Sequence, residues 1–269
     1  MNNSFHSLRF GRSADKYSGV AHIQDGMAEK LLEFWSATEH PSKILEMGCG
    51  TGQCTRKLSA KFPNATLVAT DGSSQMVKAT EHHLEIKGNP RSLLTVKILD
   101  AEFAQNLSPD IPKEAPFDLL VSNALVQWFP DLSGHLQLCR TWVRPGAIYL
   151  VSGFLPSNFP ELNSILCKPP FSYAHFPGHT FSEIMDQGRL ANWGLEKFYG
   201  WEETEVFPTP MDVLRRIQSL GSARHPREGG KLNRKNLEFL ISLYQEKYGN
   251  STGVPLTWKP WIASLRFLG

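Results

Sequence analysis

The sequence is sparing in cysteine, nearly balanced in charge and without long apolar runs, and each shortage removes a class of function. Its four cysteines are Cys49, Cys54, Cys139 and Cys167. Cys49 and Cys54 stand close together in a glycine-rich turn, and no histidine pair follows at zinc-finger spacing. No metal is expected, and the thiols read as reduced. Lys and Arg number 28 against 26 Asp and Glu, a net charge of +2. Such a balance argues for neither a nucleic acid nor an anionic membrane as partner. No stretch approaches the ~20 apolar residues that cross a bilayer, and no basic-plus-apolar leader is visible. The expectation is a cytoplasmic protein without membrane or nucleic-acid partners. Internal repeats and low-complexity tracts are also absent.

The pattern that is present alternates short apolar runs with amphipathic ones. Ile23, Met27, Leu31, Leu32 and Trp35 recur at helical spacing. "SKILEMG" reads as a buried strand and "QCTRKLSAKF" as a helix with Cys54 and Leu58 inward. "ATLVATD" is a second strand. "SSQMVKATEHHLEIKG" is a second helix, opened by serine caps and closed by Gly88. "LLTVKILD", "FDLLVSN" and "GAIYLVSGF" are further strands, with the amphipathic "DLSGHLQLCRTWV" before the last of them. Strands alternating with helices predict a parallel sheet covered on both faces, a doubly wound α/β fold.

Residues 1–24 read as an N-terminal cap segment and 25–155 as the doubly wound core. Residues 156–194, rich in Pro, Phe and His, read as a lid of short helices and loops, and 195–269 as a part completing the sheet. "LEKFYGWEETEVFP" predicts a strand pair or one bent strand. "TPMDVLRRIQSLG" and "NRKNLEFLISLYQEKYG" predict helices. "LTWKPWIASLRF" predicts one last strand, with Pro260 arguing for an edge or a bulge.

"LEMGCGTG" carries the chemistry. It leaves a strand and opens a helix, and Gly48, Gly50 and Gly52 let a ligand approach the backbone. The spacing is G-x-G-x-G rather than the G-x-G-x-x-G of dinucleotide folds. Glu46 just before the turn would repel a diphosphate but suits a cation. S-adenosyl-L-methionine (AdoMet) carries an ammonium and a sulfonium and no phosphate. Asp71 ends the second strand, where a carboxylate can accept from ribose hydroxyls. Asp100 ends the third, able to take an adenine amino group beside the Ala101 N–H, with Met76 against the ring. A helix cap would explain Asp71 alone, and a turn would explain Asp100 alone. Acids at the ends of three consecutive strands argue for one ligand edge.

"LEMGCGTG", "TDGSSQMV", "LDAEF" and "FDLLVSNALVQW" resemble the ordered motifs of class I AdoMet-dependent methyltransferases. The resemblance implies a Rossmann-like, doubly wound, seven-stranded sheet with an antiparallel last strand. It implies a cofactor site of Glu46, Gly48, Cys49, Gly50, Gly52, Asp71, Gly72, Met76, Asp100, Ala101, Asn123 and Ala124. Asn123 and Ala124 would approach the methionine end through their backbone. Gln127 and Trp128 would wall the transferred methyl off from the acceptor, unless Trp128 is a core aromatic.

No histidine or lysine is marked as the base that an amine or phenol needs. A carboxylate needs none, being ionised at neutral pH. From "RFGRSADKYSGVA" through "SNALVQWFPDLSGHL" to "SLGSARHPREGGKLNRKNLEFLISLYQEKYG" and "PLTWKPWIASLRF", the chain is similar to the malonyl-acyl-carrier-protein O-methyltransferases of biotin synthesis. That resemblance implies malonyl-acyl carrier protein as the substrate partner. It makes Tyr17 a candidate to touch the cofactor or the acid, and Arg12 and Arg224 candidates for the carboxylate, although each arginine reads equally well as an exposed charge. Arg215, Arg216, Arg224, Arg227, Lys231, Arg234 and Lys235 form a basic run, either a dock for acidic carrier protein or a solvated face. A methyltransferase of a small free acid such as trans-aconitate is the alternative enzyme. A non-methylating assembly factor on this fold is the alternative class.

Overall fold

The computed structural model describes residues 22–35, 40–86, 93–101, 111–171, 176–219 and 233–269. Five strands run parallel: β1 (Lys43–Met47), β2 (Thr66–Asp71), β3 (Leu94–Ile98), β4 (Phe117–Ser122) and β5 (Val143–Phe154). Strands β6 (Trp193–Gly200) and β9 (Pro260–Phe267) complete a seven-stranded sheet of order β3-β2-β1-β4-β5-β9-β6, with β9 antiparallel to both of its neighbours. Strands β7 (Glu203–Phe207) and β8 (Val254–Trp258) form a separate antiparallel pair. The doubly wound α/β reading holds, and the strand order reverses between β1 and β4. Ligands bind at the carboxyl ends of the strands at such a reversal.

Alternation along the strands explains the two covered faces. In β5, Tyr149 and Val151 join Trp142, Trp193 and Trp261 on one face. Ile148 and Leu150 join Leu31, Leu58 and Phe62 on the other. That second face is covered by α1 (His22–Glu33) and α2 (Gln53–Lys61). The remaining helices among the described residues are α3 (Ser74–Ile86), the single turn α4 (Ile111–Glu114), α5 (Leu132–Cys139), α6 (Pro160–Leu166), α7 (Phe181–Leu190), α8 (Pro210–Ser219) and α9 (Arg234–Tyr248). A third apolar cluster joins Ile23 and Met27 of α1 to Phe154, Phe159, Phe176, Val213, Tyr244 and Trp258.

Two local expectations change. The stretch "LTWKPWIASLRF" is not one strand: it leaves the small sheet at Trp258 and enters the large one at Pro260. Lys259 sits at the switch, its N–H donating to Asn158 Oδ1 at 2.7 Å and its carbonyl accepting from Leu155 N at 3.0 Å. Pro260 is therefore the first residue of an interior strand, the other position where a missing N–H is tolerated. "LEKFYGWEETEVFP" is neither one bent strand nor a mutual pair, because β6 joins the large sheet and β7 the small one. Helix α7 is one of the short helices expected within 156–194. Its start carries a signal that was present in the sequence: Thr180 and Glu183 form a reciprocal capping box.

Candidate active site

The glycine turn is shaped by its backbone. Gly48, Gly50 and Gly52 have φ of 74°, 56° and 86°. L side chains rarely adopt these values, so glycine is required for this path. The Gly48 and Cys49 N–H groups both donate to Thr70 O, at 2.8 and 2.9 Å, bending the chain back over the end of β2. No side chain caps the start of α2.

Asp71 ties the turn to the next strand. Its Oδ2 accepts from Gly50 N at 3.0 Å and its Oδ1 from Ser73 N at 2.8 Å. The two readings of Asp71 thus coexist, since one carboxylate serves the α3 start and the glycine turn together. Burial raises its pKa to about 6; the Ser73 and Gly50 amides oppose the shift and Asp100 adds to it. Leu99 N donates to Asp71 O at 3.0 Å, which brings the segment carrying Asp100 and Ala101 to the same edge. Asp100 is half-buried there, Gly72 likewise, and Ala101 and Met76 are buried.

Glu46 is the unusual group. It points to the α2 side of the sheet and is 1% exposed. Neither carboxylate oxygen has a hydrogen-bond partner among the described residues. Burial lifts its pKa to about 7, only partly offset by the neighbouring Thr55 and Cys54 side chains and reinforced by Asp71. A buried acid with no partner is costly unless a cation meets it.

On the β4 side, Asn123 is locked by two bonds. Its Nδ2 donates to Gln24 O of α1 at 2.9 Å, and its Oδ1 accepts from Ser152 Oγ at 2.7 Å. Ala124, at φ 53°, donates its N–H to Ser152 Oγ at 3.0 Å. Gln127 is buried; its Nε2 donates to Ala124 O at 2.7 Å, while its Oε1 has no partner among the described residues. Half-buried Trp128 meets Phe176 edge to face at 5.9 Å. Through Ala124 and Trp128 the site edge abuts the third apolar cluster.

The structure thus brings Glu46, the glycine turn, Asp71, Asp100, Ala101, Asn123, Ala124, Gln127 and Trp128 to one sheet edge. Tyr17, Arg12 and Arg224 lie outside the described residues. Within the basic run, Arg216 is buried and not solvated, a correction that follows from its packing on Trp258. Arg215 and Arg234 are exposed and paired with Asp212 and Glu238.

Sequence reading missed Thr80, Ser152 and Gln24. Thr80 is fully buried on α3, and its Oγ1 donates to Gly50 O at 2.7 Å and meets Cys49 Sγ at 3.5 Å. A threonine in mid-helix gave no local signal, because its partner is thirty residues away. Thr80→Val should leave that carbonyl unsatisfied and cost about 1–2 kcal/mol of stability. AdoMet affinity should fall about fivefold with it; calorimetry showing unchanged affinity would detach Thr80 from the turn's function.

The residues fit AdoMet and not a dinucleotide. The turn gives close backbone approach, and the orphaned Glu46 oxygens suit an ammonium where a diphosphate would be repelled. Among the described residues, no group of three or more His, Cys, Asp or Glu side chains could hold a metal.

Residues 45–149 match the family model described as a methyltransferase domain. The chain is 26% identical over 259 residues to a malonyl-[acyl-carrier protein] O-methyltransferase of Halalkalibacterium halodurans, covering 93% of each chain. It is 28% identical over 280 residues to the protein of that name from Paenibacillus, covering 97% of this chain and 98% of the relative. Among solved structures, the YcgJ protein of Bacillus subtilis superposes with a TM-score of 0.61 at 14% identity, over 92% of this chain and 99% of the other, a likeness of fold. The glycine turn built for close approach, the buried acid behind it and the strand order of a doubly wound sheet all accord with the methyltransferase domain that residues 45–149 match, and mark the chain as an AdoMet-dependent methyltransferase.

Proposed function

We propose that this enzyme is a carboxyl O-methyltransferase that converts malonyl-acyl-carrier-protein to its methyl ester in biotin synthesis. The observation that carries the proposal is similarity along nearly the whole chain, beyond the shared cofactor domain, to relatives bearing that name. The relatives' match extends past the domain that all methyltransferases of this fold need.

The site chemistry is consistent with an acid acceptor. AdoMet supplies an electrophilic methyl on a sulfonium. In this reading Asp71 and Asp100 hold its nucleoside, Met76 and Ala101 its base, and Glu46 with the Gly48–Gly52 turn its methionine part. Asn123 is held rigid by Gln24 and Ser152, so the Ala124 backbone and Gln127 are set in advance. Trp128 faces the acceptor. Beyond it lie Phe176, Phe159, Phe154 and Trp258, with successive ring centroids 4.6–6.4 Å apart. Transfer to a carboxylate turns an anion and a cation into neutral products. An apolar chamber costs the transition state less than the reactants, so it favours transfer once binding energy has brought the acid in. His179, beside this chamber, is a poor base: burial lowers its pKa, and its Nε2 is engaged with Val126 O at 3.0 Å.

The test offers labelled AdoMet with malonyl-carrier-protein, malonyl-coenzyme A and trans-aconitate in turn. A base-labile methyl on the carrier-bound malonyl group is expected. Preference for free trans-aconitate would replace the reading with the small-acid alternative. AdoMet binding without transfer to any of these acids would favour the assembly-factor alternative. In the same assay Trp128→Ala should lower kcat about 30-fold and AdoMet affinity less than threefold. Equal losses would assign Trp128 to cofactor binding or to folding.

A further inference from the structure

Among the described residues, Arg216 is the only lysine or arginine that is buried. It stands on α8 against the third apolar cluster. Its guanidinium lies over the Trp258 ring at 5.5 Å. Trp258 in turn meets Phe159 at 4.6 Å and Phe154 at 5.5 Å, so the cation packs on the same aromatic cluster that Trp128 joins from the β4 edge.

Glu205 and His22 both hold the guanidinium. Nε donates to Glu205 Oε1 at 3.2 Å, and Nη2 donates to His22 Nδ1 at 3.2 Å. They differ in kind. Glu205 is a fixed counter-charge, since its Oε2 also accepts from Trp258 Nε1 at 2.5 Å. His22 is an acceptor without charge when its Nδ1 is bare, and its side chain is 57% exposed. An entering carboxylate can take its place from the solvent side. The exchange replaces a bond between an ion and a neutral ring with one in which donor and acceptor are both charged, and a carboxylate can meet the guanidinium with two oxygens. Location supports the same reading. His22 begins α1, and two residues on, Gln24 O receives the Asn123 amide at the cofactor edge. The first turn of α1 therefore spans from the guanidinium to the methyl-donor side.

We propose that Arg216 recognises the acceptor's carboxylate, and that Glu205 weakens this grip enough to leave the acid reactive. The inference rests on the acid-acceptor reading above. A buried arginine facing one acid and nothing else would bind a carboxylate tightly and blunt its attack. With Glu205 sharing the charge, the acid is selected without being immobilised. A neutral or esterified acceptor gains nothing from Arg216. The ester product would thus be released more readily than the acid is bound.

The experiment uses the full-length enzyme, AdoMet and malonyl-carrier-protein. Arg216→Gln should raise KM for the malonyl thioester about tenfold or more while kcat changes less than about threefold, and Arg216→Lys should recover part of the loss. Glu205→Gln should move KM the other way, lowering it about threefold, and make free malonate a tighter inhibitor. AdoMet affinity, measured by calorimetry, should stay within about twofold in every variant. A merely structural ion pair predicts otherwise: both substitutions would depress stability, AdoMet affinity and kcat together. Such parallel losses, or an unchanged KM in Arg216→Gln, would overturn the inference. If Arg216→Gln fails to fold, the direction of the Glu205→Gln shift decides. Wild-type enzyme that ignores every acid would instead defeat the acid-acceptor reading, before any variant is compared.

Discussion

Asp71→Ala is expected to weaken AdoMet binding about 100-fold, or about 2.7 kcal/mol. The carboxylate has two structural bonds and a proposed ligand role. It accepts from Gly50 N and Ser73 N, and the substitution strips both amides of their acceptor at once. Hydrogen bonds to a charged group contribute about 1.5–3 kcal/mol each. The glycine turn would lose one of its tethers to β2, and the ribose hydroxyls would lose their paired acceptor. Asp71→Asn keeps one acceptor oxygen and should fall between wild type and alanine. Calorimetric titration with AdoMet, alongside urea denaturation, checks the expectation. Alanine-variant affinity within threefold of wild type would mean that the cofactor lies elsewhere on the molecule.

Glu46→Gln should make the ligand-free protein more stable at pH 8 and a poorer AdoMet binder. The sign follows from burial. The carboxyl titrates at about 7 in the folded chain, against 4.5 for an ordinary glutamate, because burial desolvates the ionised form more than Thr55 and Cys54 offset. The folded state therefore holds its proton more tightly than the unfolded state. Stability falls as pH rises from about 4.5 through 7, and the full cost persists above that. A raised pKa of this size corresponds to about 3 kcal/mol. Glutamine removes the cost, so its advantage in denaturation should be near that value at pH 8 and absent near pH 4. AdoMet binding should show the reverse trend. Wild-type affinity should climb through pH 7 as the ionised acid meets the ligand's ammonium. The variant should lose about tenfold in affinity at pH 8 and keep only the lower inflection near pH 6 that belongs to Asp71. A wild-type affinity flat between pH 6 and 8 would remove Glu46 from the cofactor site. The trade of apo stability for ligand affinity is the usual cost of a prepared binding site.

The two effects depend on features of different visibility. Strands β1, β2 and β4, the glycine turn and the acids Glu46, Asp71 and Asp100 could be read locally. Apolar periodicity spans only a few residues, and a positive φ is a property of one residue. For the same reason the Thr180–Glu183 capping box is legible in the sequence. Thr80, Ser152 and Gln24 carried no such mark. Thr80 reaches Gly50 across 30 positions, Ser152 reaches Asn123 across 29, and Asn123 reaches Gln24 across 99. Arg216 looked like one more solvated charge in a basic run, yet it lies buried on Trp258.

The strand switch at Lys259 belongs to the same category. Either side of it the pattern is ordinary strand, and only the position of β5 and β6 makes Pro260 the start of an interior strand. The amino-acid sequence by itself determined the parallel α/β core, the ligand edge and the preference for a cationic donor over a diphosphate, because backbone propensity and the charge of single residues are set locally. Tertiary structure alone decided which acid is left without a partner, which threonine fastens the turn and which arginine lies buried on Trp258. Desolvation and hydrogen bonding depend on what the completed sheet brings alongside, and those neighbours come from distant parts of the chain.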